Sequence, residues 1–142
     1  MLLMKIFKRK MIEQPAAIFV KQSAIHGRGV FTDKDIRPGE LIENAPFILI
    51  NDSESELLKQ TNLHNYYFLV KNPAFPLAVG FGFSSLYNHA CPSNAIYTID
   101  LQSKIIVIKA FKFIHQLEEI TINYNGHPED YAAVSFTNPL II

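Results

Sequence analysis

The sequence predicts a mainly β domain, and three observations carry that expectation. The runs "AIYTIDL" (95–101) and "KIIVIKA" (104–110), joined through Gln102 and Ser103, read as a hairpin. "EEITINYN" (118–125) alternates Ile120, Ile122 and Tyr124 against Thr121 and Asn123, the period of a half-buried strand. Short apolar runs recur along the chain without βαβ alternation, which argues against a doubly wound sheet.

The elements follow in order. "AAIFVKQ" (16–22) is a β-type run. "HGRGVF" (26–31) brings two glycines that permit a positive φ or a close backbone approach. Pro38 and Gly39 suit the central positions of a type II turn. "PFILI" (46–50) is a second β-type run. Ser53 and Glu56 have capping-box spacing before Leu57 and Leu58, which predicts a short helix over 54–59. "LHNYYFLV" (63–70) fits helix or strand. "LAVGFGF" (77–83) is apolar with interrupting glycines, the mark of a bend or a close contact.

The bulk properties bound the function. The 142 residues fit one domain, and 49% are apolar, enough for a core. Thirteen basic residues balance thirteen acidic ones, so no nucleic-acid footprint is expected. The run Lys8-Arg9-Lys10 reads as a solvated arm. No apolar run reaches the roughly 18 residues of a membrane-spanning helix. The first residues lack the pattern of a signal peptide, so an intracellular location is expected. The single cysteine, Cys91, rules out an intramolecular disulfide and a multi-thiolate zinc site.

Single residues say little. His89 and Cys91 could share a face, but no residue is evident to orient the histidine, and a lone cysteine usually packs as a small hydrophobe. The five histidines are dispersed, so no metal site is expected. "HGRG" lacks the ending of a phosphate loop. Tyr124, taken alone, reads as a packing residue.

Their order says more. A Gly-x-Gly loop comes first, then a Tyr-bearing aromatic segment. "LYNHACPSNA" follows, with Asn88-His89 and a second asparagine, Asn94; "EEITINY" ends at Tyr124. In this order the chain resembles the SET-domain family of protein lysine methyltransferases, and its size and layout resemble the minimal viral and bacterial members. The resemblance covers 16–125, leaving an arm at 1–15 and a zinc-free tail at 126–142. Ser93 stands where the family usually has proline, and Leu117 where it usually has glycine.

The resemblance implies a mainly β SET-domain fold: several small curved sheets, one or two short helices and a C-terminal pseudoknot. It implies S-adenosylmethionine as cofactor, no metal, and methyl transfer to a lysine side chain of a protein substrate, a histone or another protein. Residues His26, Gly27, Arg28 (by its backbone) and Gly29 would approach the cofactor, together with Asn88, His89 and Tyr124. Tyr124 and Tyr66 would be catalytic, Tyr66 standing in a helix-like "YYF" segment. Tyr66 and Tyr97 would line the lysine channel, and Asn94 would tie down its loop. The far wall would come from Tyr131 and Phe136, or from a second copy of the chain in a homodimer. The alternative is a module that recognises a lysine-containing peptide without turnover.

Overall fold

The computed structural model describes residues 17–134. The arm at 1–15 and Phe136 lie outside the described residues. Among the described residues, nine strands form two sheets: β1 (Ile18–Gln22), β2 (Arg28–Thr32), β3 (Leu41–Ile50), β4 (Tyr67–Leu69), β5 (Leu77–Gly80), β6 (Asn88–His89), β7 (Ala95–Asp100), β8 (Ile105–Ala110) and β9 (Glu119–Ile122). The first sheet runs β1-β2-β9-β6 and the second β4-β5-β3-β8-β7. Neighbours are antiparallel except β6 and β9, which pair parallel with Asn88 opposite Thr121 and His89 opposite Ile122.

The core lies where the sheets meet. Val30, Ile42, Phe47, Ile106, Ile108, Ile120 and Ile122 are all buried in it. In β3, Ile42 and Glu43 are consecutive and both buried. The register against β8 shifts between Leu41 and Glu43. A bulge of this kind re-aims a side chain out of the normal alternation, which accounts for an acid inside an apolar strand.

Several local expectations are refined. The helix α1 (Asp52–Leu58) starts earlier than the Ser53–Glu56 spacing suggests. Its capping box is Asn51 with Glu54: Asn51 Oδ1 accepts the Glu54 N–H at 2.9 Å, and Glu54 Oε2 accepts the Asn51 N–H at 3.4 Å. The "YYF" segment is not helical. Tyr66 caps a 3-10 turn (Asn62–Asn65), and Tyr67 begins β4. The hairpin joining β7 and β8 has a four-residue connection, 101–104, rather than Gln102 and Ser103 alone. Asp100 Oδ1 accepts the N–H groups of Gln102 (3.0 Å) and Ser103 (3.1 Å), an Asx-type turn that widens the loop. Strand β9 is buried on both faces, not one: Thr121 and Asn123 are as enclosed as Ile120 and Ile122. It lies between β2 and β6; the Thr121 hydroxyl bonds to Asn94, and just past the strand Asn123 Nδ2 donates to the Asp130 carbonyl. The Pro38-Gly39 turn is as expected, with Gly39 at φ +84°.

Leu117, in the position where glycine is usual, has φ 67°. It is the third residue of a turn closed by the Glu118 N–H on the His115 carbonyl at 3.0 Å. A left-handed conformation costs an L-residue about 1–2 kcal/mol, and Leu117 is 61% exposed, so little packing offsets that cost. Leu117→Gly is expected to raise stability by about 0.5–1 kcal/mol, after the entropy glycine adds to the unfolded chain. Urea denaturation of the two proteins measures it.

Candidate active site

A cavity of about 830 Å³ opens between the two sheets. Its first wall is the loop before β2, with His26, Gly27 and Arg28; the second is Asn88 and His89 of β6. The third is aromatic, with Tyr66, Phe68, Tyr97 and Tyr124. These five separate segments of the chain thus meet at one hollow.

The tyrosine after β9 is held at three points. Its backbone N–H donates to His89 Nδ1 at 3.1 Å, and the two rings stand 5.2 Å apart. Its hydroxyl donates to the Tyr87 carbonyl at 2.9 Å. Its own carbonyl accepts the Tyr97 hydroxyl at 3.2 Å. Because His89 Nδ1 accepts a hydrogen bond, the imidazole is neutral with its proton on Nε2. Burial also pushes the His89 imidazole below its ordinary pKa. Burial, with a smaller contribution from the neighbouring Tyr66, pushes the Tyr124 phenol up to about 12. Tyr97 packs edge-on against Phe68 at 5.2 Å, and burial raises its phenol too.

The Asn88-to-Asn94 stretch is stitched to the end of the chain. Asn88 is buried, and its Nδ2 reaches the carbonyls of His26 (3.0 Å) and Arg28 (3.2 Å) and Glu119 Oε1 (2.7 Å). Its amide therefore serves the protein's own loop and strand. Asn94 Nδ2 donates to the Glu119 carbonyl at 2.8 Å, and its Oδ1 accepts the Thr121 N–H at 2.8 Å. The Ser93 N–H donates to the Pro128 carbonyl at 3.0 Å, and the Cys91 thiol donates to the Asp130 carbonyl. Residues 88–94 are thus clasped against both β9 and the segment beyond it.

Not every expected residue lies on the cavity. Gly29 sits behind the wall: a Cβ there would collide with the Glu119 carboxylate and stand 3.1 Å from Asn88 Nδ2. Its lack of a side chain serves that internal approach. Tyr131 is 74% exposed and off the cavity; Ala133 and Val134 line it instead. Among the described residues, no three of His, Cys, Asp and Glu gather as a metal-binding group.

Two features escaped the sequence. Glu43, wholly buried, accepts the Phe83 N–H and the Tyr87 hydroxyl, each at 2.8 Å. Its signal was a lone acid inside the apolar run "LIENAPFILI". The second is Ser23 with Glu119, joined by hydrogen bonds across 96 residues of sequence. A contact of that separation left no local signal.

This architecture has relatives. The family model for the SET domain matches residues 27–125. The chain is 28% identical, over 76% of its length and 73% of the relative's, to a Schizosaccharomyces pombe protein, "Histone-lysine N-methyltransferase, H3 lysine-37 specific". A solved Plasmodium falciparum structure, assigned as a histone methyltransferase, superposes with a TM-score of 0.65 at 28% identity; the match covers 80% of this chain and 95% of that one. Another is ctPRC2 in an autoinhibited conformation bound to S-adenosylmethionine, with a TM-score of 0.65 at 26% identity. There the match covers 80% of this chain but only 16% of the other. The chain belongs to the SET-domain family. On that membership and on the curated relative, its enzyme class is protein-lysine N-methyltransferase. No helix among the described residues is long and apolar enough to cross a membrane.

Proposed function

We propose that this chain transfers a methyl group from S-adenosylmethionine to the ε-amine of a lysine in a protein substrate, with histones the first class to test. One observation carries the reading: the Tyr124 phenol, the Asn88-His89 turn and the aromatic wall share a single cavity.

The residues fit the cofactor. A volume of about 830 Å³ suits a nucleoside-sized ligand with room for a lysine side chain. Strand β6 is the edge of its sheet, and an edge backbone suits the hydrogen-bonding rim of a purine. His26, Gly27 and Arg28 would flank it by their backbone, with Asn88, His89 and Tyr124 opposite; Gly29 would act from behind. When bound, the cofactor supplies a methyl on a positively charged sulfur that is already a good leaving group.

The protein's task is then alignment and proton control. A free lysine has a pKa of about 10.4 and must be neutral to attack. Enclosure by Tyr66, Phe68 and Tyr97 disfavours the ammonium form. Their π faces still attract the cation as it enters. With its pKa near 12, Tyr124 keeps its proton at physiological pH and is no general base. Its one proton is donated to the Tyr87 carbonyl, so toward the cavity the phenol presents its oxygen as a fixed acceptor. The lysine proton therefore leaves to solvent as the side chain enters the aromatic wall. Holding amine and methyl in line is worth several kcal/mol by itself.

Calorimetric titration with S-adenosylmethionine, followed by radiolabelled methyl transfer to a histone mixture, tests the proposal. Binding and labelled lysine are expected. Neither heat of binding nor a thermal shift with the cofactor would remove the reading.

A further inference from the structure

We propose that Ser23 is a positioning residue for the cofactor wall: through the Glu119 carboxylate it holds residues 25–28 in the shape the ligand meets. The inference rests on the methyltransferase reading above.

Ser23 precedes the loop that forms that wall. Its Oγ donates to the Glu119 carboxylate, 2.9 Å from Oε1 and 2.8 Å from Oε2. The same Oγ accepts the N–H of Ile25 at 2.8 Å and of His26 at 3.3 Å. The Ser23 N–H closes the loop on the Gly27 carbonyl at 2.9 Å. From the other side, Glu119 Oε1 accepts Asn88 Nδ2 at 2.7 Å, and that amide also reaches the His26 and Arg28 carbonyls. An amide nitrogen has two hydrogens, so the three acceptors share them. The loop is therefore gripped by its N–H groups through Ser23 and by its carbonyls through Asn88, with one carboxylate joining the grips.

Ile25, His26, Gly27 and Arg28 line the cavity; Ser23 and Glu119 do not. They act from behind. Burial does not hold this loop in place, since Ile25 is 52% exposed and His26 and Arg28 are exposed as well. The hydrogen bonds must set its shape. A loop that has lost them must be ordered by its ligand, and that ordering is subtracted from affinity. The chemistry happens at Tyr66, Tyr97 and Tyr124, which Ser23 does not touch.

The test compares Ser23→Ala and Ser23→Thr with the wild-type chain. Calorimetry gives the S-adenosylmethionine Kd, steady-state kinetics give KM and kcat, and thermal unfolding reports fold integrity. Loss of a hydrogen bond to a charged group is expected to raise Kd and the cofactor KM about tenfold in Ser23→Ala. At saturating cofactor kcat should stay within about twofold, because the aligned groups are untouched. Ser23→Thr, which keeps the hydroxyl, should restore Kd to within about threefold. Adding Glu119→Gln to Ser23→Ala should raise Kd by less than the product of the two single effects, the signature of a shared interaction. An unchanged Kd in Ser23→Ala, or a fall in kcat at constant KM, would overturn the proposal while leaving the methyltransferase reading intact. A wild-type chain that binds no S-adenosylmethionine would overturn both.

Discussion

Tyr124→Phe is expected to bind S-adenosylmethionine within about threefold of the wild-type affinity while transferring methyl about 100-fold more slowly, the scale of loss that follows misalignment of about 1 Å. The ring stays, so packing against His89 persists; the bond to the Tyr87 carbonyl goes. Single-turnover transfer with bound cofactor separates the two effects. The pH profile adds a second check. Because the phenol titrates only near 12, the wild-type rate should rise with pH as the lysine substrate loses its proton, without a limb from Tyr124 below about pH 10. A limb near neutrality that vanishes in Tyr124→Phe would show that the phenol titrates there, contrary to its burial.

Glu43→Ala should cost about 3 kcal/mol of stability, because it leaves two buried donors, the Phe83 N–H and the Tyr87 hydroxyl, without their acceptor. Activity should fall with it even well below the unfolding temperature. Tyr87 belongs to the segment whose carbonyl receives the Tyr124 phenol, so a loosened Tyr87 loosens the site. Glu43→Gln keeps one acceptor and should cost about 1 kcal/mol. The pH dependence has a definite sign. Burial raises the Glu43 carboxyl above its ordinary value, so the folded chain holds that proton more tightly than the unfolded one. This contribution to stability is complete below the unfolded carboxyl pKa and is lost as pH rises through the folded value. From mildly acidic pH to neutrality, wild type should lose stability relative to Glu43→Gln. Urea denaturation across that range measures the difference; parallel curves would show that Glu43 ionises as an exposed carboxylate does.

The β class, the β7–β8 hairpin and β9 were legible because strand period and turn chemistry are local signals. The meeting of Tyr124 with His89 was legible only through the resemblance, since 35 residues separate them and no spacing rule links them. What stayed hidden depends on distant partners. Thr121 and Asn123 look like the wet face of a strand until Asn94 bonds the first and the Asp130 carbonyl the second. Glu43 looks like a surface acid until a bulge turns it inward. Gly29 invites a ligand-based explanation, yet its neighbour is the Glu119 carboxylate, 90 residues away in the sequence. Tyr131 had only its aromatic character to recommend it, and its ring faces solvent.

The two sheets differ in when their parts become available. Every strand of the five-stranded sheet lies within residues 41–110, one unbroken stretch of chain. The four-stranded sheet draws on 18–32, then 88–89, then 119–122. During vectorial synthesis the five-stranded sheet therefore has all its strands while the four-stranded one still lacks β9, one of its two inner strands. Until Glu119–Ile122 emerges, β2 has no inner neighbour and β6 has nothing to pair with. The nascent chain holds a scaffold without a reaction chamber, and the chamber assembles only when that late strand slots between two earlier ones.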